Sequence, residues 1–383
     1  MDMAVAWFGG IGSTAAGYIL PFLFVLTVVV FFHELGHFLV ARWCGVAVTT
    51  FSVGFGPELV GFTDRSGTRW RLSLIPLGGY VKFLGDDSVA STPDREAVEA
   101  MAPEQRARSF AAQGVGARAA IVAAGPIANF LLAIVIFTAI FSIYGRDIIT
   151  PQVDTVVAES PAERAGFQPG DMILSIDGEA VGSFTELQRI VTAMADQELS
   201  VVVRRGSEEL TLAVTPERRE LTDQFGNKQR VGVLGVQRGA ASAGDVITER
   251  YSIPQAALLA VEETWFVTER TISYIAGVIA GRESADQLGG PIRVAEVSAQ
   301  VATIGFVALI NLAAILSISI GLINLFPIPM LDGGHLVYFA AEAIRGRPLS
   351  ERVQEIGFRI GLAAVLMLMV FATWNDIIHL SSL

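Results

Sequence analysis

His33-Glu34-Leu35-Gly36-His37 follows the apolar run Ile19-Leu20-Pro21-Phe22-Leu23-Phe24-Val25-Leu26-Thr27-Val28-Val29-Val30-Phe31-Phe32 and precedes Phe38-Leu39-Val40-Ala41. On a helix this spacing puts two imidazoles one turn apart on one face, with a carboxylate beside them. Two ligands and a general base are the layout of a zinc hydrolase. Such groups are costly at membrane depth unless they have partners, and a metal is the natural partner.

The rest of the chain fits a membrane setting. Of 383 residues, 52% are hydrophobic and only 17% charged, too apolar for an ordinary soluble enzyme of this length. The net charge of −11 argues against a nucleic-acid partner. The single cysteine, Cys44, excludes an internal disulfide framework and a cysteine-based zinc site. Four segments have the length of spans: about Tyr18–Trp43, Ala119–Tyr144, Gly305–Phe326 and Ile360–Ile378. The first is expected to be a span rather than a signal peptide, because no Lys or Arg precedes it and Arg42 follows it.

Basic residues flank the spans unevenly. Arg42, Arg65, Arg69, Arg71, Lys82, Arg95, Arg106, Arg108 and Arg118 lie between spans one and two, and Arg345, Arg347, Arg352 and Arg359 between spans three and four. Both connections are therefore expected in the cytoplasm, with both termini and the acidic segment 145–304 outside.

A third metal ligand is needed. His379 falls near the outer end of span four and reads as interfacial. Asp332 is the better candidate, in Asn324-Leu325-Phe326-Pro327-Ile328-Pro329-Met330-Leu331-Asp332-Gly333-Gly334-His335. Prolines and glycines around one aspartate describe a helix broken at membrane depth, which is tolerated where it lines a cavity or is buried in protein. A cytoplasmic turn is the plainer alternative. His33 lies nine residues before Arg42 and Asp332 thirteen before Arg345, so the two motifs reach similar depth near one face. Zn²⁺ with two neutral imidazoles, Asp332 and Glu34 would be close to neutral overall, the least costly state in a low dielectric.

These two motifs resemble the site-2 protease family of intramembrane zinc metalloproteases, and most closely its bacterial RseP-type members. Gly54-Phe55-Gly56-Pro57, Pro76-Leu77-Gly78-Gly79-Tyr80-Val81-Lys82, Gly125-Pro126-Ile127-Ala128-Asn129-Phe130, Gly289-Gly290-Pro291-Ile292 and Ser350-Glu351-Arg352-Val353-Gln354 fit the family pattern as well. Enterobacterial members carry two tandem PDZ modules, whereas residues 146–235 have room for one.

The resemblance implies a polytopic α-helical membrane protein of about four transmembrane helices, with a membrane-associated β-hairpin and an inserted extracytoplasmic PDZ (α+β) domain. The expected divisions are 1–145 for the first half of the membrane domain, 146–235 for the PDZ domain, 236–304 for amphipathic interfacial helices, and 305–383 for the second half. His33, His37 and Asp332 would bind one Zn²⁺ per chain and Glu34 would be the catalytic base. Asn324 and Gly54-Phe55-Gly56 would position substrate. The implied location is the bacterial inner membrane, multi-pass, with the active site toward the cytoplasm. The implied partners are the lipid bilayer, single-span membrane substrates such as anti-sigma factors or signal-peptide remnants, and a peptide or substrate ectodomain at the PDZ domain.

Between the spans, Phe51, Val53 and Phe55 alternate with Ser52 and Gly54, and Trp70, Leu72 and Leu74 with Arg71 and Ser73. Asp64-Arg65-Ser66-Gly67 is the turn signal between two strands. An exposed strand edge could hold an unwound substrate; an ordinary cytoplasmic hairpin is the alternative. Residues 86–109 read as a polar loop with a short helix. Val153–Val157, Ser160–Asp171 and Met172–Gly178 read as strand, short helix, glycine turn and strand, which resembles a bacterial PDZ domain; the resemblance implies that Phe184–Met194 would be its groove-lining helix and Leu199–Arg204 and Leu210–Val214 its late strands. Asn129 reads as a helix–helix hydrogen-bonding residue. Two rivals remain: a catalytically silent membrane scaffold that binds partners through its PDZ domain, and a metal transporter, which would need acidic or histidine residues along several spans.

Overall fold

The structure, a computed structural model, describes residues 2–85, 100–222, 228–238, 246–281, 284–285 and 289–382. In chain order its elements are α1 (Asp2–Trp43), β1 (Val48–Thr63), β2 (Arg69–Phe83), α2 (Pro103–Arg106), α3 (Val115–Ile143), β3 (Arg146–Ile149), β4 (Thr155–Val156), α4 (Pro161–Ala165), β5 (Met172–Ile176) and β6 (Glu179–Ala180). There follow α5 (Phe184–Ala193), β7 (Leu199–Arg205), β8 (Glu208–Val214), β9 (Glu217–Thr222), β10 (Lys228–Val233), β11 (Val236–Gln237), β12 (Val246–Glu249), α6 (Ile253–Ile279), α7 (Pro291–Ile304), α8 (Phe306–Asn324), α9 (Asp332–Arg345) and α10 (Glu351–Ser382). The chain divides into two compact units, the first made of 1–138, 257–276 and 288–383, the second of 139–256 and 277–287.

Four helical segments of the first unit are long and apolar enough to cross a membrane: Gly17–Trp43, Val115–Ile143, Phe306–Asn324 and Arg352–His379. They correspond to the four spans expected from sequence. The last keeps almost none of its surface inside the protein, and Met367, Val370 and Trp374 on it are exposed. An apolar face of this size suits lipid rather than water. α1 packs against α8 through Val25, Val29, Leu309 and Ala313.

β1 and β2 form one hairpin whose long strands fold over. Residues 50–53 of β1 pair with 69–72 of β2 on one side and with 79–82 on the other, while 58–63 pair back on 69–73. Four short segments thus lie side by side, and the two edges are 58–63 and 79–83. Glycines make the bends: Gly54 and Gly56 have φ of 88° and 86°, a region that L side chains rarely adopt. Asp64 closes the turn, accepting from the Ser66 and Thr68 N–H groups at 2.8 and 3.0 Å. Aromatic packing fixes the hairpin to α1. Phe51 stacks on Trp70 at 4.3 Å, and Phe38 meets both edge-on at 5.7 and 5.0 Å. Burying a ring such as Phe51 stabilises by about 2–3 kcal/mol, and Phe38 is the residue after His37. The hairpin is therefore held against the helix turn that carries the motif.

In the second unit the sheet order is β6-β5-β7-β8, with β9 paired to β10, β11 to β4 and β12 to β3. Ser160 caps α4 by accepting the Glu163 N–H, and Ser183 caps α5 by accepting the Glu186 N–H. Ile173, Leu187, Leu199, Val201 and Val203 form the buried core. Within the 236–304 segment the helical pattern of Pro254–Gly281 corresponds to α6, Ile253–Ile279, and the described residues before it are not helical. Val236–Gln237 and Val246–Glu249 are strands instead, recruited by pairing with β4 and β3, a long-range effect that local periodicity does not carry. Of the polar loop, 86–99 lies outside the described residues, and the short helix is α2.

Candidate metal centre

α1 carries His33 and His37 with ring centroids 4.9 Å apart and Nε2 atoms 3.3 Å apart. The third donor arrives from α9. After α8 ends at Asn324, residues 325–331 make a tight turn through Pro327 and Pro329, and Asp332 opens the next helix. That turn folds onto the first turn of α9. A Cβ at Gly333 would overlap the Leu325 and Phe326 carbonyls, and one at Gly334 would overlap the Ile328 carbonyl. Only the pair of glycines after Asp332 allows this packing, which fixes where the carboxylate projects.

Asp332 Oδ2 stands 3.2 Å from His33 Nε2 and 3.6 Å from His37 Nε2. Donors bound at about 2.0–2.1 Å to a tetrahedral zinc stand about 3.3 Å from one another, so the triangle has the size a zinc ion requires. The three side chains are largely buried, and Oδ2 is a buried atom with no hydrogen-bond partner. A buried carboxylate oxygen costs free energy unless something completes it. A cation shared with the two imidazoles does so, and these three residues form a group that could hold one metal.

α3 lies directly over the histidines. A Cβ at Gly125 would overlap His37 Nε2 and come within 2.9 Å of His33 Cε1. Glycine at 125 therefore keeps open the space beside the donor nitrogens. The Ile121 carbonyl accepts the His37 Nδ1–H at 2.9 Å. Since a carbonyl can only accept, this fixes the tautomer and leaves the Nε2 lone pair facing Asp332.

Glu34 sits on the hairpin side of α1. The Val81 backbone lies beside its carboxylate, and a Cβ at Gly79 would lie 3.1 Å from its Cγ and 2.8 Å from the Ser52 carbonyl. Sequence reasoning missed Gly79, Val81 and Gly125 as neighbours of the motif. One signal was available: Gly125 and Asn129 share the four-residue spacing of His33 and His37.

The other expected residues are placed less directly. Val53 pairs with Gly79, so Gly54-Phe55-Gly56 follows one strand away from Glu34. Phe55 stacks on Tyr80 at 6.0 Å. Asn324 is the last residue of α8, half-buried; among the described residues no hydrogen bond ties its side chain to the three donors. His335 lies one turn beyond Asp332 against Tyr338 and is not in the donor group. His379 is near the end of α10.

Two imidazoles on a membrane-type helix, met by a carboxylate at the start of the helix that follows α8, with Glu34 beside them, define the class of membrane-embedded metallohydrolases. The sequence profile of peptidase family M50 matches residues 21–368. "Putative zinc metalloprotease Atu1380" of Agrobacterium fabrum is 54% identical over 94% of this chain and 96% of its own length. A protein of the same description in Rhizobium meliloti is 50% identical over 94% of this chain and 96% of its own. Metalloprotease MmpA of Caulobacter vibrioides is 40% identical over 93% of this chain and 94% of its own. The chain belongs to peptidase family M50, the site-2 proteases, and is a zinc metalloprotease of the membrane.

Proposed function

We propose that the protein is an intramembrane endopeptidase that cleaves the transmembrane segments of single-span substrates, as in regulated intramembrane proteolysis of anti-sigma factors or removal of signal-peptide remnants. The carrying observation is that Glu34 lies between the donor triangle and the 79–83 edge of the hairpin. A helical substrate hides its carbonyls in its own hydrogen bonds. An unwound segment laid along that edge would exchange them for strand pairing, with the peptide bond beside the metal centre. Gly54-Phe55-Gly56, at the bend of the neighbouring strand, and Asn324 would keep the segment in register.

His33, His37 and Asp332 would hold the zinc, which when bound supplies a Lewis acid that polarises the scissile carbonyl and acidifies water. Glu34 takes the proton from the attacking water at its carboxylate. It then returns that proton to the departing amine nitrogen, so the hydrolysis balances without any other donor. The hairpin edge at Gly79 and Val81 packs against Glu34 and would hold its carboxylate in place for both transfers.

The second unit is proposed to be a PDZ-type module on the extracytoplasmic side. Its supports are the four-stranded sheet, the Ser160-Pro161 capped α4 and the amphipathic α5. Because β11 and β12 pair with β4 and β3, the module would extend past 235 to about residue 249. It would bind a peptide or screen out bulky substrate ectodomains. The short basic connections support a metal centre toward the cytoplasm of an inner-membrane protein with both termini outside. The exposed apolar side chains Leu258, Val261, Trp265 and Ile272 of α6 suit a helix at the membrane interface.

Glu34→Gln with a membrane-anchored reporter is the test. The variant should keep its zinc and lose cleavage by about a thousandfold, within the range for a positioned general base. Cleavage that persists with zinc bound would refute the mechanism.

A further inference from the structure

His37 has a partner for its outer nitrogen, the Ile121 carbonyl. His33 needs an equivalent one. A ring that binds metal through Nε2 must carry its proton on Nδ1, and that N–H must be accepted by something. The group facing His33 Nδ1 is the Asn129 amide, whose nitrogen stands 3.3 Å away. Asn129 is fully buried, and its Oδ1 has no hydrogen-bond partner.

With the amide nitrogen toward the ring, Nδ1 must be bare, and the ring proton sits on Nε2 facing Asp332. That arrangement cannot bind metal through Nε2. A half-turn about Cβ–Cγ exchanges amide oxygen and nitrogen, two atoms of nearly equal size. The oxygen then accepts the Nδ1–H and frees the Nε2 lone pair.

We propose that Asn129 is a positioning residue for His33, its amide accepting from Nδ1–H so that the Nε2 lone pair is presented to the metal. Ile121, Gly125 and Asn129 then form one stripe along α3, four residues apart, matching His33 and His37 on α1. Ile121 orients one ring, Gly125 leaves room for the ion, and Asn129 orients the other ring. Ser317 on α8 fixes this part of α3 separately, donating to the Asn129 backbone carbonyl at 2.9 Å.

The inference rests on the metal-centre reading, and the experiment separates the two. Zinc affinity of the full-length protein in nanodiscs is measured by competition with a chromophoric chelator, alongside thermal unfolding of the metal-free protein. His33→Ala should abolish tight binding; if it does not, the metal-centre reading itself fails. Asn129→Leu, which offers neither donor nor acceptor, should weaken zinc binding about 10–100-fold, the usual effect of losing such an outer partner. Asn129→Asp keeps the acceptor and should stay within about fivefold of the parent, as carboxylate–histidine–zinc arrangements do. Ser317→Ala should leave zinc affinity unchanged.

Unchanged affinity in Asn129→Leu would overturn the proposal. So would equal losses in the Leu and Asp variants, because packing alone would then explain them. Should Asn129→Leu not fold, Asn129→Asp decides by itself: retained zinc supports the role and lost zinc refutes it.

Discussion

Asp332 and Asp376 are both buried aspartates in the apolar unit, and they have opposite surroundings. Asp376 on α10 is 1% exposed and accepts three backbone N–H groups, from Gly290 at 2.8 Å and from Ile292 and Arg293 at 3.1 Å. These are donors at the start of α7, which have no partner within their own helix, and Pro291 between them has no N–H to satisfy. The protein completes this carboxylate by itself. Asp332 instead has a buried oxygen without a hydrogen-bond partner, faced by two imidazoles. A carboxylate finished by the protein holds the fold together; one left unfinished among metal donors belongs to the chemistry.

The comparison breaks most sharply at Gly125. Gly125→Ala puts a methyl group against His37 Nε2, so we expect loss of both zinc and reporter cleavage while the protein still inserts in the membrane. Zinc content by atomic absorption checks this; a fully loaded, active variant would show that the space beside Gly125 is not needed. Asp376 should behave in the reverse way. Asp376→Leu strands three helix-end donors and should cost about 3 kcal/mol in an SDS unfolding titration, while Asp376→Asn, which still accepts, should lose about half as much. Both should retain one zinc per chain.

Asp171 in the second unit sharpens the rule outside the membrane. Its side chain is fully buried and accepts from Arg205 at 2.7 and 2.8 Å and from the Gln168 N–H at 2.9 Å. Burial alone would raise its pKa, but these bonds outweigh it and hold the carboxyl below the usual range. A lowered folded-state pKa contributes stability above the unfolded value of about 3.9, lost as pH falls through the folded value. Hydrogen-exchange protection in β5 and β7, corrected for the intrinsic pH dependence of amide exchange, should therefore be level from pH 7 to 5 and fall only in stronger acid. Asp171→Asn should remove that acid step and cost about 2 kcal/mol.

Much of this was legible in the sequence. The histidine spacing, the apolar runs and the Leu-Asp-Gly motif are local signals, and they point to His33, His37 and Asp332, which the fold brings together. The alternation at 51–55 and 70–74 marked strands, but not that they fold over to put the 79–83 edge on Glu34, since that pairing joins residues about 30 apart. The carbonyl that orients His37 left no trace, because every residue has one and Ile121 is otherwise an ordinary apolar side chain. Asn129 reads from sequence as a helix–helix hydrogen-bonding residue and does bond from α3 to α1, but the sequence does not say that its partner is His33. Asp376 carries no local signal, because its partners are the backbone N–H groups of Gly290, Ile292 and Arg293, far earlier in the chain. Strands β11 and β12 were missed because their pairing partners lie about 80–100 residues earlier.

The most direct measurement is the zinc content of Asp332→Asn beside Asp376→Asn, each purified in nanodiscs and checked for folding. The account predicts that Asp332→Asn stays folded and loses its zinc, with affinity down more than about a hundredfold, while Asp376→Asn keeps one zinc per chain. An Asp332→Asn protein that still holds one zinc at parental affinity would contradict it.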